Sequence, residues 1–418
     1  MNSQIGTWAQ MDEEGRLILS EELVSQYGLE PGTEVWIENG ENEFILHRPV
    51  TQLKKVYIEA TNHCNIACRM CMRNTWDESY GWMSEQTFAA LLQSLQHLSN
   101  MPLVSFGGLG EPLSHPRFID MVEQLKEIGA DVEMITNGTL LNEKRARKLV
   151  DAGLDILWVS IDGASPESYA DVRLGAELPK VLTNVDRLYK MREGWRYFPK
   201  PQIGFTFVAM KRNINDLPEV IKIGRRVGAK HFMVSHVQPY SAEMQSESLY
   251  NQMLRNITYM PSRWVPQLNL PKMKIDETTR DVFYQLLNSG CNVNFAGNDL
   301  AGSNDVCTFV QGGSISIGWD GSASPCLPLL HNHVSYLHGK ERRSHRHIIG
   351  NVIERDLIDL WQDPEYVAYR KRVQSFGFAP CTPCGGCELS ESNELDCFGV
   401  TFPACGGCLW AQGVIQCP

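Results

Sequence analysis

The chain has 418 residues, 43% hydrophobic and 21% charged, with a formal net charge of −11. That length suits two or three domains around a large core, and no apolar run approaches the ~20 residues of a membrane span. The acidic balance speaks against broad nucleic-acid binding. The opening MNSQIGTWAQMDEEGRL lacks the basic start and apolar stretch of a signal peptide, so a cytoplasmic home is expected.

Residues 1–50 read as a small β-rich unit. GRLIL suits a strand, SEELVSQYG a short helix capped by Ser20, and PGTEVWIENG-ENEFILHRP a turn, a strand, a Gly turn and a further strand. From 51 to about 240 strands and helices alternate. Strand-like runs fall at Val56–Ala60, Leu103–Phe106, Val132–Ile135, Ile156–Ile161, Ile203–Ala209 and Phe232–Val234. Between them, Phe88, Leu91, Leu92, Leu95 and Leu98 follow helical spacing, as do Phe118, Val122, Leu125 and Ile128. Those stripes read as core faces. Six β/α units predict an α/β fold with a parallel sheet, open or closed into a partial (β/α)6 barrel, and such folds collect ligands at the C-terminal ends of the strands. Residues 241–300 read as an irregular linker, and 301–418 as a further domain. There SISIGWDGSASPC predicts a hairpin turning at Asp320-Gly321, followed by one helix over about 356–373.

The thirteen cysteines are segregated: three in 64–71, ten in 291–418, none elsewhere. An odd number without a secretory signal argues against a disulfide framework, and scattered core thiols would not cluster so. Metal binding is the better reading of both groups. Cys64, Cys68 and Cys71 fall on the loop after the first strand, KKVYIEA. Thiolates suit iron–sulfur clusters. Three ligands for four irons leave one iron open to S-adenosylmethionine (SAM), whose reductive cleavage yields a 5′-deoxyadenosyl radical. A zinc knuckle completed by His63 competes, but it would leave the rest of the barrel unexplained.

CxxxCxxC after the first strand of a β/α chain resembles the signature of the radical SAM superfamily. GGLGEPLSHP (Gly107–Pro116), ITNGT (Ile135–Thr139) and VSIDG (Val159–Gly163) follow in order at the ends of later strands. The resemblance implies that Gly108, Gly110 and Glu111 belong to the segment that receives the amino group of SAM, with Glu111 supporting that loop rather than catalysing. It implies that Ser160 and Arg173 contact the SAM carboxylate and that Met70 lies where relatives pack the adenine. It names no general base or hydrogen donor.

The tail holds Cys291, Cys307, Cys326, Cys381, Cys384, Cys387, Cys397, Cys405, Cys408 and Cys417. Cys307 through GWDGSASPC, then IIGNVIERDLIDLW and the clustered thiols, resembles the SPASM extension, which carries one or two auxiliary 4Fe–4S clusters. Two clusters need eight thiols and ten are present. CTPCGGC is followed by nine residues before Cys397, a departure from the usual spacing that leaves the individual ligands open. Cys384-x2-Cys387 and Cys405-x2-Cys408 also match zinc-ribbon spacing; beside a core of this kind, iron–sulfur is preferred.

Residues 1–50 resemble half of an AbrB-like swapped-hairpin module. They hold ten Asp/Glu against two Arg, a net of −8, so protein docking or dimerisation is expected rather than DNA binding, with a β-unit that merely packs on the barrel as the alternative. His331, His333, His338, His345 and His347, with Lys340, Arg342, Arg343 and Arg346, read as a solvated insertion, with a phosphate or protein-substrate site as the alternative. The combination, with the ending CFGVTFPACGGCLWAQGVIQCP, resembles radical SAM maturases associated with tungsten-containing aldehyde ferredoxin oxidoreductases. That implies a tungsten oxidoreductase or its pterin cofactor as partner, and ferredoxin or flavodoxin as electron donor. A peptide- or sulfatase-modifying maturase and an iron–sulfur scaffold or electron-transfer protein are the rival readings.

Overall fold

The computed structural model describes every residue except 1–7, 30, 40–43, 77, 193–199, 252–253, 255–265, 290, 297, 300–306, 385 and 418. Six strands carry the second section: β1 (Lys55–Ile58), β2 (Leu103–Phe106), β3 (Val132–Thr136), β4 (Ile156–Ser160), β5 (Gln202–Ala209) and β6 (Ala229–His236). They lie side by side in chain order, every pairing parallel. Parallel strands need crossovers, and helices supply most of them: α1 (Glu85–Gln96), α2 (Phe118–Glu127), α3 (Glu143–Asp151), α4 (Pro166–Val172), α5 (Leu178–Met191) and α6 (Leu217–Arg226). The α/β fold expected from the alternating pattern is the one observed.

The helices start where their capping chemistry lies. Ser84 accepts from Thr87 N ahead of α1, Asn142 from Arg145 N ahead of α3, and Ser165 forms a capping box with Ser168 ahead of α4. The faces they bury are the stripes read from sequence: Phe88, Leu91 and Leu95 on α1, and Phe118, Val122 and Leu125 on α2. Burying each such side chain contributes about 1.5–3 kcal/mol.

The C-terminal extension is built into this sheet. β7 (Ser314–Ile317) pairs in parallel with β1, Ser314 opposite Lys55 and Ile317 opposite Ile58. It then turns at Gly321, whose φ of 85° suits glycine, into antiparallel β8 (Ser322–Ser324) and on to β9 (Gly350–Asn351). The hairpin at Asp320-Gly321 is therefore present. The single helix expected over 356–373 is instead two, α7 (Leu357–Trp361) and α8 (Pro364–Gln374). Pro364 has no N–H to continue α7, and the Asp363 side chain caps the new start by accepting from Glu365 N. Arg370 of α8 is fully buried against the Trp361 and Tyr366 rings and donates to Val50 O and Trp361 O, so the extension shares the main core.

The histidine-rich segment is solvated only in part, with Arg343, His345 and Arg346 exposed. Strands His333–Leu337 and Lys340–Ser344 pair as a hairpin, and His331, His333 and Arg342 are all buried. Alternation along a strand turns His333, Ser335 and Leu337 inward. Within 241–300, Gln267–Leu270 and Asn292–Phe295 pair in parallel around the helix Arg280–Leu287.

The N-terminal unit contrasts with all of this. It has the hairpin Gln10–Met11/Leu17–Ile18, the helix Glu21–Tyr27 capped by Ser20, and the hairpin Ile37–Asn39/Phe44–Leu46. Every strand residue in it is exposed, and the helix buries none of its side chains.

Candidate cluster and SAM site

The C-terminal ends of the strands converge on an open cleft of about 730 Å³, lined by Cys64, Cys68 and Cys71 together with Met70, Ser160 and Arg173. The cysteine loop is fixed by its backbone: Ala67 N donates to Leu174 O and Arg69 N to Val172 O. Each thiol faces one side-chain N–H. Asn137 Nδ2 lies 3.7 Å from Cys64 Sγ, Arg173 Nη1 3.6 Å from Cys68 Sγ, and Arg73 Nε 3.4 Å from Cys71 Sγ. Burial pushes the Cys64 and Cys68 thiols up, and the Arg173 charge opposes it at Cys68. Two guanidinium groups and an amide thus stand ready to stabilise thiolates.

The loops after β2, β3 and β4 complete the cleft. Gly110 is required by close approach, since a Cβ there would stand 2.0 Å from Thr61 O. Glu111 is buried and accepts from Leu113 N (3.1 Å), Thr136 Oγ1 (2.8 Å) and Asn137 N (2.7 Å). Its carboxyl ties the glycine loop to the end of β3; burial raises its pKa and the three donors oppose that rise. Ser160 Oγ accepts from Thr206 Oγ1 at 3.2 Å. Arg173, 9% exposed, donates through Nε to Asp162 Oδ2 at 2.6 Å, which aims its remaining donors into the cleft. Gly108 and Gly110 line the same space. Arg73, Asn137, Asp162 and Tyr240 are the residues sequence reasoning gave no role. Only Asn137 and Asp162 lay within the quoted motifs, and nothing nearby marks Arg73 or Tyr240.

The ten tail thiols are sorted by the fold. Cys307, Cys326, Cys405 and Cys408 line one mainly apolar cavity. Burial pushes Cys307 up to about 12 and raises the other three as well. Tyr369 Oη is 3.2 Å from Cys405 Sγ. Arg342, 5% exposed, donates to Ser390 O and Ala404 O, and its charge faces Cys408, Cys381 and Cys405. Cys381 is in turn within electrostatic reach of Cys397 and Cys387. Cys384, Cys387 and Cys397 are exposed. Cys291 lies beside the Asn292–Phe295 strand, and Cys417 packs near Trp410 and Lys55. Among the described residues no three His, Cys, Asp or Glu side chains converge on a single ion. A cubane cluster instead spreads its thiolates around a body of several atoms, so it does not require them to converge on one point. Three thiols with matched donors beside free space fit a cluster with an open iron, and the donor set suits it.

A family model described as the radical SAM superfamily matches residues 58–223, and one described as an iron–sulfur cluster-binding domain (SPASM) matches 307–388. The chain is a radical SAM enzyme with a SPASM extension; it uses SAM and a 4Fe–4S cluster and carries auxiliary iron–sulfur centres. Within that superfamily it belongs to the family of the Pyrococcus furiosus "tungsten-containing aldehyde ferredoxin oxidoreductase cofactor-modifying protein", to which it is 30% identical over 370 residues, 88% of this chain and 97% of the relative. A probable GTP 3′,8-cyclase of Methanococcus maripaludis is 29% identical over 185 residues, 43% of this chain and 57% of that one. Among solved structures, Streptococcus suis SuiB bound to SAM superposes with a TM-score of 0.51 at 14% identity, covering 88% of this chain and 74% of its own. The structure titled anSMEcpe with bound SAM and the Cp18Cys peptide gives 0.51 at 18%, covering 81% and 88%. These two share the fold. No helix among the described residues is long and apolar enough to cross a membrane.

Proposed function

We propose that this enzyme matures a tungsten-containing oxidoreductase or its pterin cofactor. The supporting observation is the match to the Pyrococcus furiosus protein of that printed name, which covers 88% of this chain and 97% of that one. When bound, the cluster and SAM together supply a 5′-deoxyadenosyl radical able to take hydrogen from unactivated carbon. The chain's part is to hold and orient. Arg173, locked by Asp162, and Ser160 take the SAM carboxylate, Gly108 and Gly110 give its amino group room, Glu111 keeps that loop in place, and Met70 covers the adenine. Anaerobic incubation with reductant, SAM and the candidate tungsten enzyme tests this. 5′-Deoxyadenosine with a mass change in the protein or its pterin is expected. 5′-Deoxyadenosine with a peptide modification instead would favour the peptide-modifying reading, and none at all the scaffold.

The same reading assigns the tail thiols. Cys307, Cys326, Cys405 and Cys408 hold one auxiliary cluster, and Cys381, Cys384, Cys387 and Cys397 a second, with Cys291 and Cys417 left over. Reconstituted protein should carry about twelve irons, and about four would sink the assignment. The electron donor is a ferredoxin or flavodoxin. The exposed apolar residues of the N-terminal hairpins, Leu17, Ile18, Ile37 and Phe44 to Leu46, favour pairing with a second copy, because isolated two-stranded hairpins are marginal in water. A dimer that becomes monomeric on removal of residues 1–50 is the expected result; unchanged mass in solution would reject it.

A further inference from the structure

His331 of the C-terminal extension is 5% exposed, and both its ring nitrogens face carboxylates. Nε2 is 2.9 Å from Glu59 Oε1, and Nδ1 pairs with Glu78 Oε2. The other Glu78 oxygen accepts from Asn332 N at 2.8 Å, and the Trp76 ring lies edge-on to the imidazole at 4.4 Å. Glu59 follows β1 directly, is 1% exposed, and turns its second oxygen to Leu109 N at 3.2 Å. It also fills the space beside Gly108, where a Cβ would stand 3.0 Å from Glu59 Oε2. Gly108, Leu109 and Gly110 are the wall of the SAM cleft. A continuous path of hydrogen bonds therefore runs from the extension, through one buried carboxylate, to the loop that faces SAM.

We propose that His331 is a positioning residue for SAM: as an imidazolium held between Glu59 and Glu78, it fixes Glu59 and through it the Gly108–Gly110 loop. A buried carboxylate without its counter-charge would be strained toward water or protonation and would release the Leu109 amide. SAM binding in the core thereby depends on a side chain of the extension, 272 residues from Glu59 along the chain. The geometry agrees with the ionisation state. Burial disfavours the charged ring, yet the two carboxylates prevail and hold its pKa at about 9. Other charged or titratable groups near it are His333 and Arg346 on its own segment, the latter acting on Glu78.

The test uses reconstituted full-length enzyme under anaerobic conditions. His331→Gln should keep its full iron content but bind SAM roughly tenfold more weakly, with a weaker SAM-induced change in the EPR signal of the reduced cluster. Its KM for SAM should rise more than its kcat falls. Since the raised pKa means that the charged pair is intact below about pH 9 and lost above it, wild-type SAM affinity should fall as pH rises through that value. Glu78→Gln, at the rim of the pair, should move that midpoint down while leaving iron content unchanged, and it stands in if the His331 variant does not fold. Unchanged SAM affinity in iron-replete His331→Gln, or an unmoved midpoint in Glu78→Gln, would overturn the proposal.

Discussion

The two thiol cavities are served by different donors. At the strand ends Cys64, Cys68 and Cys71 each face a side-chain N–H group, two of them guanidinium, around an open cleft, and Cys64 has the Ile66 amide as well. In the tail the partners of Cys307, Cys326 and Cys408 are backbone N–H groups, of Phe309 and Val310, of Leu329, and of Trp410 and Ala411 respectively. Cys405 has the Tyr369 hydroxyl. Four thiols surround the tail cavity, enough to close a cubane, whereas three leave one iron free for an outside ligand. On the proposed ligand sets, the first site has an iron open to an outside molecule and the second has none.

The largest effect should come from breaking the first set. Replacing any of Cys64, Cys68 or Cys71 by Ala should abolish 5′-deoxyadenosine formation, read by chromatography after dithionite reduction. Cys405→Ala should instead lose about four irons while retaining much of the SAM cleavage. Equal loss of SAM cleavage from both kinds of variant would erase the division between the sites. Next in size is Arg173→Met, which leaves the fully buried Asp162 carboxylate without its cation. Removing one partner of a buried pair costs about 3–5 kcal/mol, visible as a lower midpoint in anaerobic denaturation. SAM affinity should fall with it, and Arg173→Lys should recover only part of either, since lysine cannot reach Asp162 and Cys68 together.

How much of this the sequence disclosed follows the same division. The strand ends were legible because their motifs are short and contiguous: Cys64 to Cys71, Gly107 to Glu111, Ile135 to Thr139. Apolar runs located β1 to β6, and the spacing of the apolar residues located α1 and α2, the first two of the six helices between them. The partition of the tail thiols was not legible, because Cys307 and Cys326 meet Cys405 and Cys408 only after β7 docks on β1. The same docking buries His331, His333 and Arg342, whose composition alone suggests a solvated loop. Donors such as the Leu329 and Ala411 amides carry no residue-type signal at all.

Arg342 sharpens the comparison from the tail side. It is the buried cation facing both Cys405/Cys408 and Cys381, so it stands between the two proposed auxiliary centres. A positive charge favours the more reduced, more negative cluster. Arg342→Met should lower the tail potential by roughly 60 mV, a tenfold change for one electron, measured by EPR-monitored titration. The SAM-binding cluster should not move.

The smallest effect belongs to Tyr369. Burial keeps its phenol protonated, so against a thiolate the hydroxyl donates to Cys405 Sγ. The hydrogen bond is made in both oxidation states, and only the difference between its two strengths enters the potential. Tyr369→Phe should therefore lower the tail potential by no more than about 20 mV, a fraction of the ~1 kcal/mol such a bond contributes in total. The ring stays in place, so packing around the cavity and iron content should be unaltered. A shift as large as that of Arg342→Met would mean that the phenol, as much as the guanidinium, sets the charge environment of the cavity, and that the two thiol sites are tuned alike by their nearest side-chain donor.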